Sequence, residues 1–394
     1  MSEPMIDIRG LCKVFGGAAE TVMPLVREGI GKQELLDRHN CVLALRDINL
    51  AIPAESIQVV MGLSGSGKST LIRHINRLIE PTYGDIIVDG QSVSGMDASA
   101  LRAFRRNTAS MVFQGFALMP HRTVRENIGY GLKVRGLDRD EIDTRVSHWI
   151  DRIGLDGFAD RFPTELSGGM QQRVGLGRAL ATDPDILLMD EAFSALDPVI
   201  RVEMQNILLE LQAELRKTIM FITHDLDEAL RIGDDIAILR DGEIVQQGAP
   251  QDIVLAPADD YIAEFVKDIN RGRVIQVGRV MAPITNGTTG PAISHDSLLE
   301  AAAIALAEAG ADAAAAAAAR GLVSEGQWWR HRAVRIGRCV GFDPARVASR
   351  LALSGFGAAA RPGDPLGVRV PFALDGLYEL QLQLGSTFVA RLVI

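Results

Sequence analysis

Met61-Gly62-Leu63-Ser64-Gly65-Ser66-Gly67-Lys68-Ser69-Thr70 decides how the chain is read. The residues before it (Ile57, Val59, Val60, Met61) have the apolar run of a buried strand, and those after it (Leu71, Ile72, Ile75, Leu78, Ile79) have the period of an amphipathic helix. The spacing predicts strand, glycine loop and helix in that order. Glycines carry no side chain, so the backbone can wrap closely round an anion, with successive N–H groups and the helix N-terminus aimed at phosphate oxygens. Lys68 then reaches terminal phosphates, and the Ser69 hydroxyl is placed to ligate an accompanying Mg²⁺. A bare G-x-x-x-x-G-K-[ST] pattern also arises as a glycine turn with an incidental lysine. The strand before it and the helix after it distinguish the two.

Downstream, Ile186-Leu187-Leu188-Met189 is apolar throughout, as in a strand buried on both faces of a parallel sheet covered by helices. It delivers two carboxylates, Asp190 and Glu191, to its end. Asp190 could hold Mg²⁺ through water and Glu191 could act as general base on an attacking water, although charge at a strand end is also simply solvated. A second buried run, Thr218-Ile219-Met220-Phe221-Ile222-Thr223, ends in His224-Asp225, and Ser110-Met111-Val112-Phe113 ends at Gln114. A glutamine there can touch a metal or its water through the amide oxygen, or be a plain loop residue. In open α/β sheets ligands gather at the carboxyl ends of strands, so Gly62, Gln114, Asp190, Glu191 and His224 are expected along one edge. Leu166-Ser167-Gly168-Gly169-Met170-Gln171 opens another helix; its glycines repeat the ingredients of the first anion site, and an ordinary N-cap uses them too.

Upstream, Ile6, Ile8 and Leu11 alternate with polar residues in a strand ending near Phe15, which is either a purine-stacking ring or edge core. Residues from about 18 to 41 read as a charged helical insertion with no chemistry of its own. The chain of 394 residues is long enough for two or three domains, and 47% hydrophobic content supplies their cores. A net charge of −9 argues against sequence-independent nucleic-acid binding. Three scattered cysteines (Cys12, Cys41, Cys339) have neither metal-ligand nor disulfide spacing, which fits a reducing cytoplasm. No signal peptide is read at the N-terminus and no stretch spans a bilayer.

Taken together, these motifs resemble the nucleotide-binding subunits of ATP-binding cassette (ABC) transporters over roughly residues 5–270. Residues 62–70 match the Walker A loop, Gln114 the Q-loop, Leu166-Ser167-Gly168-Gly169-Met170-Gln171 the signature, residues 186–190 Walker B, Glu191 the catalytic base, Ser194-Ala195-Leu196-Asp197 the D-loop and His224 the switch histidine. Asn76-Arg77-Leu78-Ile79-Glu80-Pro81-Thr82, Phe116-Ala117-Leu118-Met119-Pro120-His121 and Ala229-Leu230-Arg231-Ile232-Gly233-Asp234 are similar to the importer ATPases for glycine betaine, proline betaine and choline. The resemblance implies an α/β fold: a P-loop ABC ATPase domain over residues 1–278, with a mainly parallel sheet core, an antiparallel β subdomain and a helical subdomain at about 115–175. It implies ATP bound by residues 62–70, with Ser167, Gly168 and Gly169 of a second copy closing a head-to-tail homodimer; Phe15, in the stacking alternative, is the candidate for the adenine. Ser69, Gln114 and Asp190 would hold Mg²⁺. It also implies a transmembrane permease whose coupling helix meets residues 115–121, a periplasmic or membrane-tethered solute-binding protein, no nucleic acid, and a peripheral position on the cytoplasmic face of the inner membrane. Soluble cassette proteins of translation or DNA repair usually carry two cassettes or a long coiled-coil insert, neither of which is seen. The signature disfavours an unrelated P-loop kinase or GTPase.

From about Met281 the chain departs from these relatives. Many of them end in paired cystathionine-β-synthase-type (CBS) modules, whereas here only Ile293-Ser294-His295-Asp296-Ser297-Leu298-Leu299-Glu300 looks like the start of one. Ser297 and Glu300 predict a capping box. Seven alanines, residues 313–319, stand where a module would place a β-branched strand, and alanine favours helix. Arg330, His331, Arg332, Arg335 and Arg338 beside Trp328-Trp329 form either a lipid-facing patch or a solvated face. Pro371-Phe372-Ala373-Leu374 and Phe388-Val389-Ala390-Arg391-Leu392-Val393 suggest a terminal β-rich unit. Residues 279–394 are therefore expected to form a small α+β accessory domain, a degenerate module that no longer senses ionic strength.

Overall fold

Two sheets of different character frame the nucleotide-loop region. The structure is a computed structural model that describes residues 3–280, 282–283, 292–308, 314–317, 332–334, 379–384 and 387–393. It divides into two units, residues 1–253 and 254–394.

In the first unit the chain opens with β1 (Ile6–Phe15), α1 (Met23–Arg27), α2 (Lys32–His39), β2 (Val42–Ile52), β3 (Ile57–Met61) and α3 (Lys68–Ile75). Next come β4 (Tyr83–Val88), β5 (Gln91–Ser92), α4 (Ala98–Asn107), β6 (Ala109–Val112), α5 (Val124–Ile128), α6 (Tyr130–Arg135), α7 (Arg139–Arg152) and α8 (Gly168–Ala181). The unit ends with β7 (Ile186–Asp190), α9 (Pro198–Leu215), β8 (Thr218–Thr223), α10 (Leu226–Ile232), β9 (Asp235–Arg240) and β10 (Glu243–Gly248).

The larger sheet runs β10-β9-β3-β8-β7-β6, and all of its neighbours pair in parallel except β10 with β9. Every residue of β3, β7 and β8 is buried, which explains their unbroken apolar sequences. The smaller sheet, β2-β1-β4-β5, is antiparallel and alternates inside and outside. One apolar cluster joins them: Ile6, Ile8 and Ile48 from the small sheet, Leu71, Ile72 and Ile75 from α3, and Ile186, Leu188 and Ile222 from the large one. Each such side chain, fully buried, contributes about 1.5–3 kcal/mol. The inner face of α3 is thereby fixed, and with it the loop at its N-terminus. Helices α5, α6 and α7 fill the stretch expected to be helical. Asp138 caps α7 through Glu141 N, and Gly136, at φ +84, ends α6 in the left-handed conformation.

The insertion between β1 and β2 folds as two short helices with a small core of their own. Val22, Met23, Val26 and Leu35 pack there with Cys12 and Val14 of β1, Leu43 of β2 and Cys41 just before β2. Cys12 and Cys41 are buried and unpaired, while Cys339 lies outside the described residues.

The second unit contains α11 (Pro250–Leu255, beginning in the first), α12 (Asp260–Val266), α13 (Val277–Val280), β11 (Ala282–Pro283), β12 (Ala292–Ser294), α14 (Leu299–Glu308), β13 (Ala314–Ala317), β14 (Arg332–Val334), β15 (Glu379–Leu384) and β16 (Thr387–Val393). Two expectations are corrected here. Helix α14 forms, but Leu298 and not Ser297 precedes its first residue, and the Glu300 carboxylate meets Arg273 Nε at 3.0 Å. The alanine run contains a strand: β13 pairs in parallel with β12 and antiparallel with β14, and this pairing overrides an intrinsic preference worth only about 1 kcal/mol per residue. β15 and β16 form an antiparallel hairpin, in keeping with a β-rich end. Residues 371–374 and most of the Trp328–Arg338 patch lie outside the described residues. No helix among the described residues is long and apolar enough to cross a membrane.

Candidate functional site

Between β3 and α3 the loop runs through left-handed backbone at Gly62 (φ +156), Gly65 (φ +78) and Gly67 (φ +107). At Gly62 a Cβ would lie 2.1 Å from Leu239 O, and at Gly67 one would lie 2.7 Å from Ala44 O, so both positions exclude any side chain. Leu63, Ser64 and Gly65 form an exposed rim around a buried Lys68. The ammonium of Lys68 donates to Gly62 O (2.9 Å) and Leu63 O (3.0 Å) and lies 3.7 Å from Glu191 Oε1. Burial holds its pKa below the usual lysine value, against the opposing pull of Glu191 and Asp190. Ser69 Oγ donates to Asp190 Oδ1 at 2.7 Å. A hydroxyl and a carboxylate side by side at a phosphate-loop helix form the hard-oxygen donor set that suits Mg²⁺.

The parallel strands bring the predicted residues to one edge. Gln114 follows β6, Glu191 follows β7 and His224 follows β8. Gln114 Nε2 donates to Glu191 Oε2 at 3.1 Å, and His224 Nδ1 lies 3.5 Å from the same oxygen. Glu191 itself has φ +46, a left-handed backbone that costs a non-glycine residue on the order of 1–2 kcal/mol. Its N–H donates to Ile222 O (3.1 Å), and its carbonyl accepts from Ser194 Oγ (2.9 Å). The strained backbone is thus held on both sides, and the carboxylate faces Lys68, Gln114 and His224. A carboxylate so placed can accept a proton from a water lying beyond a phosphate chain.

Three other segments carry the remaining predicted residues. Phe15 ends β1 and is 41% exposed, and Lys13 Nζ lies 4.9 Å from its ring centroid. Ser167 caps α8 by accepting from Met170 N (3.3 Å), with Gly168 exposed beside it. Phe116 and Ala117 both have positive φ (+59 and +49), and Arg178 donates to both of their carbonyls (3.1 and 2.7 Å). The apolar loop after Gln114 is therefore pinned from α8.

Sequence reasoning missed two contacts. Arg73 Nη2 lies 3.0 Å from Asp190 Oδ2, which leaves Oδ1 turned to Ser69. The signal was available, because Arg73 follows Ser69 by one helical turn and shares its face. Arg201 Nη1 donates to Asp225 Oδ2 (3.0 Å) and Nη2 to Leu196 O (3.2 Å), joining the loop after Glu191 to the residue after His224. No spacing in the sequence announces that pair.

A glycine cradle with a buried lysine, a strand-end carboxylate pair and a second glycine-opened helix, all on a mainly parallel sheet, define an ATP-binding cassette. The profile of the ABC transporter family matches residues 45–194. A glycine betaine/carnitine transport ATP-binding protein of Listeria monocytogenes is 49% identical over 276 residues, 70% of each chain. A trimethylamine N-oxide transport system ATP-binding protein of Pelagibacter ubique is 43% identical over 301 residues, 76% of this chain and 88% of that one. Among solved structures, the dimeric post-hydrolysis state of the ATP-binding cassette MJ0796 bound to ADP and Pi aligns with a TM-score of 0.54 at 31% identity, covering 62% of this chain and 99% of that one. The chain belongs to the ABC transporter family, as an ATP-binding subunit.

Proposed function

We propose that this subunit hydrolyses ATP to drive import of a quaternary or methylated amine osmolyte: glycine betaine, proline betaine, choline, carnitine or trimethylamine N-oxide. The observation that carries the solute class is the long match to two ATP-binding proteins whose own solutes share a methylated nitrogen. The solute itself would be bound by other chains of the transporter. Uptake of a labelled panel into cells with and without this subunit tests the proposal. Subunit-dependent uptake of methylated amines is expected, and dependence confined to an amino acid or a sugar would overturn it.

Within the subunit, residues 62–70 would enclose the phosphates, with N–H groups aimed inward and Lys68 turning from the loop carbonyls to the terminal phosphates. Mg²⁺ held by Ser69 and Asp190, with Gln114 at its edge, would neutralise charge on the β- and γ-phosphates. Glu191 would take the proton of the attacking water, and His224 and Gln114 would fix its carboxylate. Phe15 would stack on adenine. Ser167, Gly168 and Gly169 of one copy would close on the phosphate loop of the other in a homodimer. The pinned loop at residues 115–121 would meet a transmembrane permease, partnered by a solute-binding protein, so that the subunit lies peripherally on the cytoplasmic face. Residues 1–278 would form the ATPase domain, its helical subdomain at about 115–175, and residues 279–394 an accessory domain of degenerate CBS type.

A further inference from the structure

The insertion between β1 and β2 is left without a role by the catalytic reading, yet it is joined to the phosphate loop through one arginine and one turn. Its small core on β1 and β2 holds the α1–α2 linker, where Ile30 packs against that core. Arg46, on β2, reaches this linker and donates through Nη2 to Ile30 O, while its Nη1 lies 3.2 Å from Glu243 Oε1. From its backbone, Arg46 N donates to Gly242 O at 2.8 Å. Gly242 N in turn donates to Ser66 O at 2.9 Å, inside the phosphate loop. Lys32, opening α2, adds a longer contact to the same turn, 3.9 Å from Asp241 Oδ1.

There is little slack along this path. Gly242 has φ +80, and a Cβ there would lie 2.4 Å from Ala44 O, the carbonyl that Gly67 of the loop also crowds. The β9–β10 turn, β2 and the loop therefore pack backbone to backbone, and a displacement of one moves the others. An anion cradle works by keeping its N–H groups turned inward, and because the C=O and N–H of one trans peptide point in opposite directions, holding Ser66 O outward turns the Gly67 N–H inward. The bond from Gly242 N to Ser66 O holds that carbonyl. We propose that the insertion, residues 18–41, sets nucleotide affinity by bracing the phosphate loop through Arg46 and the Asp241-Gly242 turn. Arg46 is thus a positioning residue, acting on phosphates it does not touch. The inference rests on the proposed role of residues 62–70 in binding ATP.

The test is equilibrium binding of ATP with Mg²⁺ to the full-length chain, in a Glu191→Gln background that prevents turnover, together with amide hydrogen exchange of residues 62–67. Arg46→Met keeps the apolar stem and removes both contacts of the guanidinium, each a charge-assisted bond. It should weaken ATP binding about five- to tenfold, the size of one ordinary hydrogen bond because the effect reaches the phosphates only indirectly, and should speed exchange in the loop while leaving β7 unchanged. Arg46→Lys should recover part of the affinity, a partial rescue that general destabilisation would not give. If Arg46→Met fails to fold, Glu243→Gln, which weakens one contact at a half-exposed carboxylate, should still raise the Kd about twofold. Wild-type affinity and wild-type loop exchange in the variants that fold would overturn the inference, provided Lys68→Ala still loses ATP. Intact ATP binding in Lys68→Ala would instead overturn the reading of the loop on which it rests.

Discussion

Helices α3 and α8 both open on glycines, yet their N-termini differ in what the rest of the chain supplies. At α3 the loop has Lys68 at its centre, Gly242 bonded to its back, and Asp190 and Glu191 alongside. At α8 the cap is a serine, Gly168 is exposed, and the first basic residue, Arg173, is turned away to Glu203 (2.6 Å) and Ile153 O (3.1 Å). The first start has a cation, a donor ring and oxygens for a metal, whereas the second offers N–H groups and a helix dipole. An anion bound at α8 alone would meet only partial charge, worth about 0.3–1 kcal/mol at an exposed terminus. The difference teaches that a glycine-opened helix is not by itself a site. One of these is finished by its own chain, and the other is proposed to act only against a second copy.

The sharpest separation of chemistry from cradle comes from Glu191→Gln. Turnover should fall by roughly 10²–10⁴-fold with ATP affinity unchanged; single-turnover hydrolysis near the wild-type rate would remove Glu191 from the chemistry. Lys68→Ala acts on the finished start and should weaken ATP binding to the isolated subunit by about 10–100-fold, the range for losing a charged hydrogen-bond donor. Calorimetric titration checks this directly.

Gly168→Asp probes the unfinished start. The added Cβ finds room, with Phe116 Cζ at 3.8 Å and Leu196 Cδ2 at 4.0 Å, so the variant brings a charge and little strain. ATP affinity of the isolated subunit should stay within about twofold while ATP-driven dimerisation, followed by light scattering, is lost through like-charge repulsion. If Gly168→Asp weakens ATP binding as much as Lys68→Ala does, the contrast between the two starts collapses.

The smallest effect is on protons. Burial depresses the Lys68 pKa, so in the empty subunit its charge is lost at a lower pH than for an ordinary lysine. Bound phosphates favour the charged form, so ATP binding on the alkaline side should take up protons, and affinity should decline as pH rises through the depressed pKa. Titrations in buffers of different ionisation enthalpy measure that uptake, which should vanish in Lys68→Ala.

How much of this was legible in the sequence depends on the distance over which each signal acts. The phosphate loop, the apolar runs of β3, β7 and β8, and the polar residues at their ends are local patterns, and strand direction in a parallel sheet carries them to one edge. The pairing of Arg201 with Asp225 and the bracing of Ser66 by Gly242 are meetings of distant segments, fixed by packing that no periodicity encodes. The alanine strand β13 shows the reverse failure, a local preference outweighed by its neighbours in the sheet. For Phe15, the sequence left open stacking or core; the structure supplies exposure, and the adenine is a proposal.

The left-handed backbone at Glu191 has a consequence for how this protein can change over time. Glycine is the residue that relaxes such a φ, and a single substitution there would release on the order of 1 kcal/mol into the fold. The replacement that relaxes this backbone therefore also deletes the carboxylate. Stability and turnover are opposed at one residue, so a lineage under pressure only to stay folded would drift toward a sturdier cassette that binds ATP and does nothing with it.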